Sequence, residues 1–172
     1  DASLPDATAG ICNAGGTRCP AATNGRTLSV GLSFACLIRA DGTLWCWGNN
    51  QNGQVGIGST SVAVEAPSQV GVATSWMAVS SGYRGNCALQ TGGAGFCWGG
   101  NSFGELGTGQ TSPEYAPALI GPGPSRTWAQ LPGAAVDHNC GIRRDGRLHC
   151  WGWNEYGELG TMGTPQQSLS PI

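Results

Sequence analysis

The sequence has little charge and no lysine. Charged residues make up 10% of its 172 positions, all eight basic residues are arginine, and the formal net charge is −2. Such a chain has no strong electrostatic attraction for a polyanion, so we expect it not to bind nucleic acid. Long apolar runs are also missing, since none approaches the roughly 20 residues that cross a bilayer as a helix. We therefore expect no membrane span in this chain.

Residues suited to bond chemistry are scarce as well. The chain has two histidines, His138 and His149, and neither belongs to the paired cysteine and histidine spacings of zinc sites. Neither the phosphate-binding loop ending in Gly-Lys-Ser/Thr nor the dinucleotide-binding glycine motif occurs. These absences predict a protein that is not an enzyme and that holds no metal and no cofactor.

Glycine, tryptophan and cysteine are abundant instead, and they recur. The sequence has 30 glycines, seven tryptophans and eight cysteines. Three copies of one pattern start at Cys36, Cys87 and Cys140, which are 51 and 53 residues apart, and the second cysteine of each copy keeps the same two intervals. A fixed period of this length indicates a repeat protein in which each unit is one supersecondary element.

Each copy is predicted to be a β-hairpin closed by a disulfide. Two short apolar segments flank a turn pair, Asp-Gly or Gly-Gly, which accepts the positive φ of hairpin turns. The two cysteines of a copy are ten residues apart and centred on that turn, so antiparallel pairing sets their Cβ atoms roughly 4.5–5.5 Å apart. A disulfide prefers roughly 3.5–4.5 Å, which requires a modest adjustment. The predicted pairs are Cys36–Cys46, Cys87–Cys97 and Cys140–Cys150, with Cys12–Cys19 closing a small loop near the N-terminus. The alternative is that the cysteines are free and packed as small apolar side chains; the even count in matched pairs favours oxidation.

The segment after each hairpin predicts a tight loop and two further strands. It reads Gly-x-Asn-x-x-Gly-Gln/Glu-Val/Leu-Gly, where glycine permits sharp turns and asparagine side chains bond nearby main chain. Residues 58–65 and 121–126 are rich in Ser, Thr, Pro and Gly and are predicted to be loops. Strands are predicted at residues 67–70 and 117–120, and a Trp-led strand follows at 76–80 and 128–131. Each unit then holds four short strands.

This pattern resembles the regulator of chromosome condensation repeat. The resemblance rests on an apolar strand, Asp-Gly, Trp-Cys-Trp-Gly-x-Asn, Gly-Gln/Glu-Leu-Gly, Pro-x-x-Val and a Trp-led strand. Three copies of this pattern cover roughly residues 28–172. It implies an all-β fold of β-propeller blades, each a four-stranded sheet, in a family whose rings commonly have seven blades. The cysteine pairs are more similar to secreted bacterial versions of the repeat than to its cytosolic and nuclear members.

The expected organisation is an N-terminal segment followed by three blades of an incomplete or partial propeller. Residues 1–27 are interpreted as a linker with a disulfide-bridged loop, which begins either after a removed signal or at a fragment boundary. The repeats span about 28–80, 81–131 and 132–172. Propellers typically have four to eight blades, and an open array leaves sheet faces uncovered. We therefore expect further blades, further copies of the protein or a protein partner to cover those faces.

The tryptophans that recur between copies indicate packing between blades. Trp47, Trp98 and Trp151 share one repeat position, and Trp76 and Trp128 share another. An alternative use of tryptophan is as a stacking platform for sugars or single-stranded nucleic acid.

A second set of positions varies between copies and is the candidate partner-binding site. One loop position holds Asn52, Phe103 and Tyr156 in the three copies, and Trp153 has no tryptophan counterpart in the other copies at its position. Partner specificity is expected at a varied, partly aromatic loop position on a regular scaffold. The candidate partner-binding residues are therefore Asn52, Phe103, Trp153 and Tyr156.

Together these features predict a non-catalytic protein-interaction or structural module, a subunit of a larger assembly outside the cytoplasm. Disulfides persist in secreted, periplasmic and cell-surface proteins. The alternative function is a secreted inhibitor of a hydrolase, because β-lactamase inhibitory propellers resemble these repeats and block an enzyme with loop aromatics. Carbohydrate binding is less favoured, as is the guanine-nucleotide exchange of the family's founder, which the acidic pI, the cysteine pairs and the small number of blades oppose.

Overall fold

The computed structural model describes residues 27–121, 127–131, 135–162 and 164–172. The predicted Cys12–Cys19 bridge and the segment around it lie outside the described residues. In the part described, the chain forms twelve β-strands arranged in three four-stranded sheets, and each strand pair is antiparallel. The prediction of an all-β protein built from propeller-type blades is confirmed.

Each sheet is a meander in which consecutive strands pair, and we number the sheets as blades. Blade 1 contains β1 (Leu28–Val30), β2 (Phe34–Ile38), β3 (Leu44–Asn50) and β4 (Ser61–Gln69). Blade 2 contains β5 (Trp76–Ser81), β6 (Gly85–Gln90), β7 (Gly95–Gly99) and β8 (Glu114–Leu119). Blade 3 contains β9 (Trp128–Gln130), β10 (His138–Arg143), β11 (Leu148–Trp153) and β12 (Gln167–Ser168).

The sheets are offset by one strand from the repeat boundaries placed near residues 80 and 131. The Trp-led strands β5 and β9 end a repeat in the sequence, but each pairs with the hairpin that follows it. The reason is connectivity, because a short link joins β5 to β6 and lets adjacent strands pair, as neighbouring elements usually do.

The hairpins have the register that the cysteine spacing predicts. Their directly opposed and disulfide-bonded pairs are Cys36–Cys46, Cys87–Cys97 and Cys140–Cys150, with Cα atoms 4.1, 4.1 and 4.0 Å apart. In the first turn Gly42 has a φ of 78°, which favours glycine. The Asp41 carboxylate accepts hydrogen bonds from the hydroxyl of Thr43 at 2.6 Å and from its N–H at 3.0 Å. These bonds lower the pKa of the Asp41 carboxyl.

The outer strand of blade 1 is longer than the sequence predicts. A loop is predicted at residues 58–65, whereas β4 begins at Ser61. Pairing with β3 continues past two register shifts, so that Val64 lies opposite Gly48 and Ser61 opposite Asn50. Most of β4 is solvent-exposed, so the serine and glutamate that signal a loop can lie in this edge strand without being buried.

The apolar core lies between the blades. One cluster joins blade 1 to blade 2 and includes Cys36, Leu44, Trp76 and Trp98. A second cluster joins blade 2 to blade 3, with members that include Cys87, Cys97, Trp128 and Trp151. In both clusters the disulfide of one blade faces the tryptophans of the next. This placement agrees with the prediction that the recurring tryptophans of blades 2 and 3 pack between blades.

Candidate interaction surface

A tightly bonded loop follows the third strand of each blade, and we call residues 50–56, 101–107 and 154–160 the Asn loops. In the first of them, the buried Asn50 accepts a hydrogen bond from the N–H of Val55 at 3.0 Å and donates one to the carbonyl of Ser59 at 2.9 Å. Asn101 makes the same pair of bonds in the second loop, with Leu106 and Gln110. Asn154 likewise accepts from the N–H of Leu159, and it donates to the carbonyl of Pro165, eleven residues along the chain rather than nine. Each loop is therefore held by a buried side chain at its start, as the turn-forming chemistry of asparagine suggests.

The backbone at the varied loop position is fixed in the same way in all three loops. Its N–H donates to a side-chain oxygen two residues further along the chain. The bonds run from Asn52 to Gln54 at 2.9 Å, from Phe103 to Glu105 at 2.8 Å and from Tyr156 to Glu158 at 3.0 Å. The three loops thus present different side chains on one conserved pattern of backbone bonds.

The structure brings two of the four candidate residues together. The rings of Phe103 and Trp153 lie 4.6 Å apart between centroids at an angle of 58°, within the range of a favourable aromatic pair. Phe103 belongs to the Asn loop of blade 2 and Trp153 to β11, so the pair bridges blades 2 and 3. Tyr156 is 85% exposed in the next Asn loop. Asn52 lies half-buried in blade 1, outside this pair.

Hydrogen bonds between blades hold the Asn loops against the sheet that follows. The main-chain carbonyl of Gln54 accepts from the Asn86 amide at 2.7 Å and from the Trp98 indole at 2.9 Å. The carbonyl of Glu105 makes the equivalent bonds with Asn139 at 2.6 Å and with Trp151 at 2.9 Å.

Our sequence-based predictions did not include these interfacial asparagines. Their signal is present in the repeat alignment, because Asn86 and Asn139 each precede the first cysteine of their hairpin, where blade 1 has Ala35. A buried amide at that position needs a partner. The partner could not be inferred from the sequence, because it is a carbonyl of the preceding blade.

Glu105 differs electrostatically from its counterpart Gln54. The Gln54 amide also donates to Asn49 at 2.8 Å, whereas the position equivalent to Asn49 in blade 2 is Gly100, beside a small cleft that Glu105 lines. Burial, together with the nearby charge of Asp137, raises the pKa of the Glu105 carboxyl, while N–H bonds oppose the rise. The protonated carboxyl is thus favoured here more than in water.

One pattern associated with catalysis is present in the sequence, since residues 100–104 match Gly-x-Ser-x-Gly. In α/β-hydrolases this pattern forms a sharp turn between a strand and a helix that exposes the serine. Here it leads from β7 through the second Asn loop to another strand, β8, with Ser102 exposed on a turn. The local structure is therefore a loop between strands and lacks the geometry of a nucleophile elbow.

The two histidines lie on neighbouring strands of blade 3. His149 is half-buried and meets the Trp128 ring edge-on at 6.1 Å between centroids. Its burial, with Arg143 nearby, lowers the pKa of the His149 imidazole. Within the described ranges, no group of three or more His, Cys, Asp or Glu residues could hold a metal ion. The same ranges contain no helix long and apolar enough to cross a membrane.

Two sequence profiles of the regulator of chromosome condensation (RCC1) repeat match this chain. One matches residues 26–54 and 136–158, and the other matches residues 41–89. The matched segments include the first hairpin, the strands that lead into blade 2, and the hairpin of blade 3 with most of its Asn loop.

Several proteins similar in sequence are much longer chains, and their names include a probable ubiquitin ligase and a light receptor. The probable E3 ubiquitin-protein ligase HERC4 of Homo sapiens is 29% identical over 144 residues, which cover 81% of this chain and 13% of HERC4. Protein RCC2 of Homo sapiens is 34% identical over 147 residues, covering 83% of this chain and 28% of RCC2. The ultraviolet-B receptor UVR8 of Arabidopsis thaliana is 26% identical, covering 78% and 31% of the two chains. This chain spans less than a third of each of these relatives.

Solved structures share the fold. Prp20p of Saccharomyces cerevisiae, described with binding properties to Gsp1p and histones, superposes with a TM-score of 0.76 at 17% identity, over 87% of this chain and 38% of Prp20p. Human WBSCR16 superposes with a TM-score of 0.71 at 23% identity, over 85% and 38% of the two chains. At these identities the likeness establishes the arrangement of blades and leaves the function open.

Proposed function

We propose that this chain, which belongs to the regulator of chromosome condensation (RCC1) repeat family, is a non-catalytic module that binds a protein partner outside the reducing cytoplasm. Propeller-type blades support protein interaction because rigid sheets hold their loops in place. The proposed partner is a protein rather than nucleic acid, since a net charge of −2 gives the chain no overall electrostatic attraction for a polyanion. In the proposed role the protein contributes shape and contact surface and catalyses no reaction.

The main support for this proposal comes from the aromatic side chains on and beside the hydrogen-bonded Asn loops. Phe103 and Trp153 form a pair that is half-buried and still reaches solvent, while Tyr156 projects from the neighbouring loop. Tyrosine and tryptophan are enriched among the residues that dominate binding energy. Because the backbone beneath Phe103 and Tyr156 is already hydrogen-bonded, binding orders little additional chain and loses little entropy.

A photo-crosslinking experiment tests this surface. A benzoylphenylalanine at position 156 should crosslink one protein in an extracytoplasmic extract of the source organism, and the same group at the almost fully exposed position 72 should not. With that partner purified, Phe103→Ala, Trp153→Ala and Tyr156→Ala should each weaken binding about tenfold or more in calorimetry. Met162→Ala, which removes a side chain that is also fully exposed, is the matched control. Equal crosslinking at both positions, or unchanged binding in all three variants, would refute the surface.

The disulfides support the proposed compartment. Three bridges lie at matching places in the three blades, and the described residues include no free cysteine. Such bridges form and persist in oxidising compartments and are rare in the cytosol. Alkylation after denaturation without reduction should label none of these six sulfurs, because a bridged sulfur has no thiol even when it is exposed to the reagent. Labelling of them in protein taken directly from its source would contradict an oxidising location.

Inhibition of a hydrolase is the second candidate function, and the exposure of Tyr156 favours it. A rigid loop that presents one large ring can enter an enzyme cleft with little entropic cost. Titration of secreted hydrolases of the source organism should then show stoichiometric loss of activity that Tyr156→Ala relieves. Binding at position 156 without loss of the partner's activity would support the interaction module instead.

A further inference from the structure

The outer faces of blades 1 and 3 are complementary halves of the interface that the molecule already uses twice. Inside the protein, the face of a blade that carries its cysteines packs against the face of the next blade that carries its tryptophans. Blade 3 leaves its cysteine face free, and blade 1 leaves its tryptophan face free, because neither meets another blade in the described part of the chain. We call these the free cysteine face and the free tryptophan face, where "free" means not covered by another blade. The cysteines of the first face, Cys140 and Cys150, are disulfide-bonded to each other.

The free cysteine face of blade 3 is apolar and uncovered. Leu44 lies opposite Ile38 on the cysteine face of blade 1, and both are 0% exposed beneath blade 2. At the equivalent positions of blade 3, Leu148 is 63% exposed opposite the half-exposed Ile142. Leaving such leucine surface in water forgoes the stabilisation of its burial.

The same face contains a site that can hold an indole ring, at Gly160. We call this site, and the equivalent sites at Gly56 and Gly107, the indole seats. A Cβ at Gly56 or Gly107 would lie 2.6 or 2.7 Å from the indole nitrogen of Trp98 or Trp151, so glycine is what admits the ring of the following blade. The equivalent Gly160 has no atom within 4 Å of its Cβ position.

A hydrogen-bond acceptor lies beside this seat. The carbonyls of Gln54 and Glu105 each accept from the indole that fills the neighbouring seat. The equivalent carbonyl is the main-chain carbonyl of Glu158. The Glu158 side chain accepts a bond from Tyr156, but the carbonyl itself accepts none from the described residues. Blade 3 thus has an open, apolar seat with a free acceptor.

The free tryptophan face of blade 1 supplies the matching ring. Trp47 is equivalent to Trp98 and Trp151, but it is half-exposed where they are fully buried. On the same face, Leu28 and Val30 are 64% and 69% exposed. Their partners in the strand register are Leu37 and Ala35, which confirms that these side chains share one face with Trp47.

We infer that the free cysteine face of blade 3 binds the free tryptophan face of blade 1 of a second copy of this chain, with Trp47 in the seat at Gly160. The contact is heterologous because the two surfaces differ. Ala35 replaces the interfacial asparagine of blades 2 and 3, so the contact forms one of the two interblade bonds and is weaker than the internal interfaces. This inference extends the proposed function and does not depend on the aromatic loops.

Sedimentation velocity on the full chain tests the contact. The wild-type chain should associate at concentrations of tens of micromolar, as expected for a moderate interface. Leu148→Asp and Trp47→Asp should each sediment as a monomer, since a charge is costly to bury in either face. Val72→Asp, in the exposed link between β4 and β5, should associate like the wild type. Far-ultraviolet circular dichroism verifies that each variant is folded.

Mixing the two defective variants gives the sharper result. Each retains one intact face, so an equimolar mixture of Leu148→Asp and Trp47→Asp should form a dimer and nothing larger. Ala35→Asn should tighten wild-type association by roughly three- to tenfold, because it restores the missing donor. A monomeric wild type, a mixture that stays monomeric, or unchanged association in Ala35→Asn would overturn the inference. None of these variants alters the Asn loops, so failure here would leave the crosslinking test of the proposed function intact.

Discussion

The interface between blades 1 and 2 and the interface between blades 2 and 3 share one bonding scheme, but different residues supply the carbonyl that accepts the bonds. In both, a main-chain carbonyl accepts from an asparagine and a tryptophan of the next blade. The residue that offers the carbonyl is Gln54 in one interface and Glu105 in the other. Because the main chain makes the contact, the side chain can change from a neutral amide to an acid while the interface persists.

Removal of an interfacial indole should have the largest effect on both interfaces. Trp98→Ala and Trp151→Ala should each lower the free energy of unfolding by about 3–5 kcal/mol, since each empties a buried site and removes one of the two donors to a main-chain carbonyl. Urea denaturation followed by far-ultraviolet circular dichroism measures this. The half-exposed Trp47 provides the control, and Trp47→Ala should cost much less in the monomer. A clear difference between the two interfacial variants would show that the interfaces are not equivalent.

Loss of a disulfide should rank next and should again be similar in the first two blades. Each bridge closes a loop between cysteines ten residues apart, for which the chain-entropy model gives about 3 kcal/mol. The paired variants Cys36→Ala/Cys46→Ala and Cys87→Ala/Cys97→Ala should therefore lower the free energy of unfolding by about that amount each. Both are measured in the same denaturation assay under oxidising conditions. A cost near zero for either pair would mean that the hairpin is equally constrained without its bridge.

A methyl group added at the indole seat should lower the free energy of unfolding more at the two internal interfaces than on the free cysteine face. Gly56→Ala, Gly107→Ala and Gly160→Ala all place a side chain at a φ between 68° and 79°, so the strain of that backbone is common to them. The first two also push against Trp98 or Trp151, which should cost about 1–3 kcal/mol more than Gly160→Ala. Thermal and urea unfolding of the three variants, at protein concentrations too low for association, tests this, and equal destabilisation in all three would argue against close ring contacts at these glycines.

The smallest expected effect concerns the Glu105 side chain, whose counterpart in the first interface is Gln54. Because the folded protein raises the pKa of Glu105 above its ordinary value of 4.5, the folded state binds the proton more tightly than the unfolded state. The resulting stabilisation is complete below the ordinary pKa and is lost as the pH rises through the raised value.

Transfer of the blade 1 arrangement should remove this pH dependence. Gly100→Asn with Glu105→Gln recreates the Asn49–Gln54 bond in blade 2 and should raise the free energy of unfolding at pH 7 by about 1 kcal/mol. Denaturation curves between pH 4 and 8 should be flatter for the double variant than for the wild type. The reverse pair in blade 1, Asn49→Gly with Gln54→Glu, is the matched control and should introduce the pH dependence there. Identical pH profiles for the wild type and the first variant would exclude Glu105 as the source.

Local features of the fold follow directly from the sequence. The cysteine spacing and the turn pairs predict the hairpins and their register, because both depend on residues within about ten positions of each other. Composition fails at β4, where Ser61 and its neighbours resemble a loop but form an exposed edge strand. That strand is stabilised by pairing with β3, and pairing with a distant segment leaves little trace in local composition.

The candidate site was only partly predictable for the same reason. Variation at positions 52, 103 and 156 indicates a displayed side chain, but the contact between the rings of Phe103 and Trp153 depends on how two blades meet. The bonds from Asn86 and Asn139 to carbonyls of the preceding blade are also contacts between units. A repeat pattern identifies equivalent residues, and it does not specify the partners that they acquire across an interface.

Taken alone, the sequence determined the repeat, its hairpins, the opposed cysteines and the family, since each is encoded by short-range spacing that backbone geometry translates into structure. The tertiary structure decided which strand opens a blade, which carbonyl receives each indole and which faces are left free. Those outcomes depend on burial and on hydrogen bonds between residues 32 to 46 positions apart in the chain. Leu44 and Leu148 occupy equivalent positions in the repeat, yet only the stacking of blades determines that one is buried and the other exposed.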